Sequence, residues 1–179
     1  QPTFGKLEVP GTVRADPARL EAHVRFLAEE ALPRDPSSPE TLDRAAAYVA
    51  EQLRPFAPVR EQRFTASGVP CRNLLARFGP EAGPLLVVGA HYDAWGGLPG
   101  ADDNASGTAG LLELARLLAT HPPETAVELV AYSTEEPPFF GGREMGSWVH
   151  ANQAQASGRP IAGAIVLEMI GYYSDHQPA

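Results

Sequence analysis

Seven side chains in the second half of the chain are of types that hold metals or move protons. His91 and Asp93 lie in LLVVGAHYDA, Asp102 and Asp103 in PGADDNASG, Glu135 and Glu136 in STEE, and Glu168 in LEMIG. Imidazole and carboxylate together suit a hard-to-borderline cation such as zinc. A ligating histidine usually gives its other N–H to a carboxylate, and Asp93 shares a face with His91 if the strand continues. Adjacent residues point different ways, so of Glu135 and Glu136 one can ligate while the other acts as general base on a metal-activated water. Two adjacent aspartates before a helix exceed what a cap requires. One of them can bridge two metals while the other supports the turn.

Each motif also has an ordinary reading. HxD can be a surface histidine beside a turn, Asp103, Asn104 and Ser106 can be helix N-cap residues, and STEE can be a solvated acidic turn. Glu168 sits in or at the end of an apolar run, where a carboxylate needs a partner. A metal, an arginine or a cluster of backbone amides would serve. Phe139 and Phe140 fit a pocket lining or the core equally well. His23, His121 and His150 read as surface or core histidines.

The elements that must position these groups follow from periodicity. Asp16 and Pro17 look like an N-cap and a first-turn proline, followed by a helical stripe of Leu20, Val24, Leu27 and Ala31 with Phe26 at its flank. Ser38, Pro39 and Glu40 open a second helix with Leu42, Ala46, Val49, Ala50 and Leu53 on one face. Residues 59–65 and 72–78 form a hairpin of strands. Residues 85–89 are a continuous apolar run that suits a strand covered on both faces. A helix over 105–119, with Leu111, Leu112, Leu114, Ala115 and Leu118 inward, is stopped by His121, Pro122 and Pro123. Buried strands over 127–132 and 161–169 flank a helix near 143–154, introduced by Gly141 and Gly142. Residues 1–15 read as an irregular arm. Alternating strands and helices predict an α/β fold, a three-layer α/β/α sandwich on a mixed, mostly parallel sheet. His91, the Glu135–Glu136 pair and Glu168 then all fall at the carboxyl ends of buried strands, where such sheets collect ligands.

The chain has 179 residues, enough for one domain, with 14 basic and 22 acidic residues for a formal charge of −8. That balance argues against nucleic acid or an anionic membrane as partner. Cys71 is the only cysteine, which excludes intrachain disulfides and cysteine-based zinc sites. No stretch approaches the roughly 20 apolar residues of a membrane span. The opening residue is Gln1 rather than Met, which reads as a processed or recombinant start.

The ordered set GAHYDA, PGADDNASG, STEE and LEMIG resembles the co-catalytic di-zinc aminopeptidase family, over roughly residues 70–175. That family includes bacterial secreted leucyl-type aminopeptidases, glutamate carboxypeptidase II and glutaminyl cyclases. The resemblance implies an aminopeptidase that hydrolyses N-terminal residues from peptides, with one or two zinc ions here where the family holds two. It makes His91 a terminal ligand of one zinc, Asp103 the bridging carboxylate, Glu168 the next ligand on the His91 ion, Glu136 a ligand of the other ion and Glu135 the general base. Asp93 orients His91, and the Asp103–Asn104 peptide is cis. Tyr172 or Tyr173 could line the site.

Two departures stand out. The family more often has Asp where Glu168 stands. Its fifth ligand is a histidine several dozen residues further on, and His176 follows Glu168 too soon to match. The resemblance therefore predicts a single zinc-peptidase domain over 1–179 that lacks the family's C-terminal part, with a further segment or chain supplying the histidine. The lack of disulfides fits cytoplasm, periplasm or a bacterial exterior alike, and an extracytoplasmic location is expected over a cytoplasmic one. A glutaminyl-cyclase-like acyltransferase with one zinc, and an inactive, metal-poor fragment or binding module of the same fold, are the alternatives.

Overall fold

The computed structural model describes residues 13–172. Asp16 caps the first helix, its carboxylate accepting the Ala18 N–H, and Pro17 opens α1 (Pro17–Arg25). The helix continues as a π-helical turn, Phe26–Glu30, before α2 (Pro39–Leu53). The hairpin is β1 (Val59–Ala66) and β2 (Val69–Phe78), paired antiparallel from Val59 opposite Ala76 to Ala66 opposite Val69. Then come β3 (Leu85–His91), α3 (Gly107–Thr120), β4 (Ala126–Tyr132), α4 (Gly146–Ser157) and β5 (Ile161–Val166).

The strands form one sheet in the order β1-β2-β4-β3-β5. β3 is parallel to both β4 and β5, β2 runs antiparallel to β1 and β4, and so β2 alone opposes the common direction. The two central strands are covered on both faces, as continuous apolar runs require: every residue of β4 is buried, and all of β3 except Leu86. On one face Leu74, Ala76, Val88, Ala90, Leu129 and Ala131 meet Leu42, Val49 and Leu53 of α2 and Leu111, Leu112 and Ala115 of α3. On the other, Leu75, Val87, Val130 and Tyr132 form a smaller core beside α4. The expected three layers are present. Leu114 and Leu118 are partly buried at the margin of the larger core.

Two expectations need correction. The 161–169 run is not a buried strand. β5 ends at Val166 and lies at the sheet edge, with Ile165 49% and Val166 64% exposed, because nothing among the described residues covers its outer side. The fourth helix begins at Gly146, not near Arg143. Residues 139–145 form turns first, and the Gly146 N–H then donates to the Ser133 carbonyl. No helix among the described residues is long and apolar enough to cross a membrane.

The α4 face carries a buried ionic network away from the strand ends. Glu128 is 2% exposed; its carboxylate accepts from Arg77 Nε at 2.6 Å and lies 3.0 Å from His150 Nε2. Burial opposes its ionisation, but the hydrogen bonds from His150 and Arg77 outweigh this and lower its pKa. A depressed carboxylate pKa stabilises the fold above the unfolded pKa and is lost as pH falls through the folded one. Arg77 is half-exposed and stays solvated without its partner, but the buried His150 loses its acceptor, so Glu128→Ala is expected to cost about 1–3 kcal/mol. Urea denaturation at neutral pH measures this.

Candidate metal and catalytic site

His91, Asp93, Glu135, Glu136 and Glu168 are delivered by the carboxyl ends of parallel strands. His91 is the last residue of β3, Glu135 and Glu136 follow β4, and Glu168 follows β5 by two residues. Asp103 comes from the turn that links β3 to α3. The buried His91 Nε2 lies 3.2 Å from Asp103 Oδ1, 3.4 Å from Glu168 Oε2 and 3.7 Å from Glu135 Oε2. Two sets have donor atoms within 4.8 Å of one another: His91 with Asp103 and Glu168, and His91 with Glu135 and Glu136. Glu168 lies just past the end of β5, at the strand end rather than within the strand, and its side chain is 42% exposed.

Asp93 is fully buried and acts as the strut of the site. Its Oδ2 accepts the backbone N–H groups of Glu135 and Glu136, at 2.9 and 3.1 Å, and its Oδ1 faces His91 Nδ1 at 3.4 Å. One carboxylate thus ties the end of β3 to the loop after β4. Asp102 and Asp103 divide their labour. Asp102 Oδ1 accepts the Gly171 N–H and faces the Ser106 hydroxyl, bracing the turn, while Asp103 faces His91. The Asp103–Asn104 peptide is cis. Asn104 Oδ1 accepts the Gly107 N–H, and its amide donates to the Leu167 carbonyl and to Glu168 Oε2.

Electrostatics mark the cluster as short of positive charge. Burial first, then Asp103, Asp93 and Glu135, push Glu136 up to about 7. Burial also raises Glu135 and Glu168, with neighbouring carboxylates adding to it. Burial works against a charged imidazole at His91, yet Asp93, Glu168 and Glu135 outweigh it and raise its pKa to about 9. Neither His91 ring nitrogen nor Asp93 Oδ1 has a hydrogen-bond partner, although all three are buried. Orphaned buried polar atoms are costly. A divalent cation among these donors would satisfy His91 Nε2 and relieve the carboxylate repulsion together, so the residues present fit zinc.

A cleft of about 430 Å³ opens beside Asp93 and Glu136, lined among others by Val69, Trp95, Pro137 and Phe139. Phe139 also belongs to the core, whereas Phe140 is 68% exposed. Tyr172 is exposed at the last described position; Tyr173 and His176 lie outside the described residues. Of the other histidines, His23 is buried against the Tyr48 hydroxyl, His150 is buried against Glu128, and His121 is exposed.

Two supporting residues, Asn73 and Arg34, escape motif reading, and a third, Asn104, is read from sequence only as a cap candidate and part of the cis peptide. Asn73 is a fully buried amide in the apolar strand β2; it accepts the Ser133 N–H and donates to the Gly146 carbonyl, fixing the base of the glutamate loop. Asn104 orients Glu168, and Arg34 reaches the segment around His91 from the front of the chain. A lone polar residue inside an apolar strand is the available signal for Asn73. For Arg34, in a proline-rich loop, the sequence carries none.

Residues 73–177 match the family model described as peptidase family M28. A protein of Escherichia coli K12, described as the uncharacterized protein YfbL, is 47% identical over 175 residues, which cover 92% of this chain and 53% of that protein. A probable zinc metalloprotease of Pyrenophora tritici-repentis is 32% identical over 129 residues, covering 59% of this chain and 27% of that protein. The chain thus spans about half or less of these relatives' length. Among solved structures, a leucine aminopeptidase precursor from Bacteroides thetaiotaomicron superposes with a TM-score of 0.73 at 24% identity, over 89% of this chain and 64% of that one. Glutaminyl cyclases share the fold as well. At that identity the likeness shows the fold alone.

Proposed function

The chain belongs to peptidase family M28, and on that premise we propose that it carries the metal site of a zinc-dependent aminopeptidase. The observation that carries this reading is the convergence of three carboxylates on the orphaned His91 Nε2. His91, Asp103 and Glu168 would hold one zinc. Asp103 would also reach a second, with Glu136. A histidine from a further segment or chain would complete the set around that second ion. The uncovered apolar side of β5 and the greater length of the relatives support such a segment.

Zinc, when bound, supplies a Lewis acid for the scissile carbonyl and lowers the pKa of water. The chain's own residues do the rest. Glu135 takes the proton of the attacking water and returns it to the leaving amine. Asp93 holds His91 facing the cluster and, through the Glu135 and Glu136 N–H groups, sets where both glutamates start. The cleft beside Glu136 offers space for the peptide substrate.

The complete protein, supplied with zinc, is tested on a leucyl anilide and on a peptide with N-terminal glutamine. Release of the anilide amine is the expected result. Ammonia release with ring closure of the glutamine would replace this reading with a cyclase. Zinc binding without either reaction would replace it with a binding module.

A further inference from the structure

Among the described residues Arg34 is the largest fully buried side chain, and no carboxylate pairs with it directly. It lies in the loop between the first π-helical turn and α2, 57 residues before His91 (91 − 34). Its guanidinium spends its donors on four backbone carbonyls. Nε donates to Tyr92 at 2.9 Å, Nη1 to Leu27 at 2.8 Å and to Pro99 at 2.5 Å, and Nη2 to Gly100 at 2.6 Å. Its own carbonyl accepts the Ala94 N–H at 3.0 Å.

Those acceptors belong to the segments that present the metal-binding groups. Tyr92 stands between His91 and Asp93. Gly100 immediately precedes the turn that carries Asp102 and Asp103, and its carbonyl also takes the Ala105 N–H. The packing leaves no slack. Gly100 has φ +54°, and a methyl group there would strike the Asp103 carbonyl and come within 2.7 Å of Ala94 Cβ and Arg34 Nη2. A buried cation held only by carbonyls is a costly way to fill a core. Only a planar fork with five N–H donors meets acceptors from three directions at once, which a lysine cannot do. Asp93, Asp103 and Glu136 supply the nearby negative charge that offsets it without contact.

We propose that Arg34 is a positioning residue for the metal site: it fixes the distance between the segment bearing His91 and Asp93 and the turn bearing Asp103, and so sets the geometry in which the cation is held. This rests on the metal reading above. Residues that orient ligands from outside the coordination sphere change affinity by about 10–100-fold.

The test compares wild type, Arg34→Lys, Gly100→Ala and Glu128→Gln. Zinc affinity is measured by competition with a chromophoric chelator, and the visible absorption of the cobalt-loaded protein reports ligand geometry. Circular dichroism and melting report folding. Arg34→Lys is expected to stay folded, lose about 10-fold or more in zinc affinity, and change the cobalt spectrum. Glu128→Gln is expected to melt lower with affinity and spectrum unchanged. If Arg34→Lys does not fold, Gly100→Ala decides, since it disturbs the same clamp with the charge intact. Wild-type affinity and an unchanged spectrum in a folded clamp variant would overturn the proposal. Absence of zinc binding by wild type would instead overturn the metal reading.

Discussion

Glu135→Gln is expected to lower aminopeptidase turnover about 10³-fold, in the middle of the range for a general base, while zinc per chain stays at the wild-type level. Glu135 and Glu136 both lie with His91 inside one cluster of possible donors, so proximity alone does not divide their roles. Their surroundings do bear on it. Glu135 Oε2 sits 3.7 Å from His91 Nε2, further out than the Asp103 and Glu168 oxygens at 3.2 and 3.4 Å. A base needs reach to the reacting water more than a place in the coordination sphere. Glutamine keeps the shape of the side chain and its anchoring N–H to Asp93 while removing the basic oxygen. The comparison with Glu136→Gln sharpens the result, because that variant is expected to lose zinc along with activity. A Glu135→Gln protein that lost zinc to the same extent would make Glu135 a ligand. Elemental analysis beside the rate assay separates the two outcomes.

The parts of this site that sequence displays are those whose chemistry conflicts with their surroundings. His91, Glu135 and Glu136 interrupt or end apolar runs, and a polar group at the end of a buried strand has few reasons to be there. The central strands are equally plain, since only a two-sided cover accounts for LLVVG and VELVAY. Glu128, within VELVAY, shows the limit of that logic: it is an acid in a buried strand whose partners, His150 and Arg77, lie in other elements. β5 shows another limit. IAGAIVLEM is as apolar as its neighbours, but burial depends on what packs against a strand, and among the described residues its outer side has nothing. Arg34 is illegible for the opposite reason, and Asn73 shows only as a lone polar residue in an apolar strand. Each works by hydrogen bonds to backbone far along the chain, and backbone acceptors leave no mark on the sequence that contains them.

Zinc is expected to raise the melting temperature, and the rise should shrink as the pH falls. At a free zinc concentration 100-fold above the dissociation constant, binding to the folded state alone contributes about 2.7 kcal/mol. For a domain of this size that is about 5–10 °C. The pH dependence follows from which groups hold protons before the metal arrives. With His91 raised to about 9 and Glu136 to about 7, the metal-free site carries a proton on His91 at pH 7 and shares one on Glu136. Metal ligands must be deprotonated, so protons compete with zinc. Between pH 9 and 7 affinity for an ion on His91 should fall by about one decade per pH unit as that single proton is regained. Below pH 7 it should fall more steeply if Glu136 also ligates. The metal-free protein behaves in the opposite sense. A histidine whose folded pKa is raised stabilises the fold below its unfolded value, near 6.5, and that contribution is lost as pH rises through about 9. Melting with chelator and with zinc across pH 6–9 therefore gives two curves that diverge toward alkaline pH. His91→Ala removes the shared donor of both clusters and should collapse them onto one. Curves that stayed parallel across that range would mean that zinc binds elsewhere.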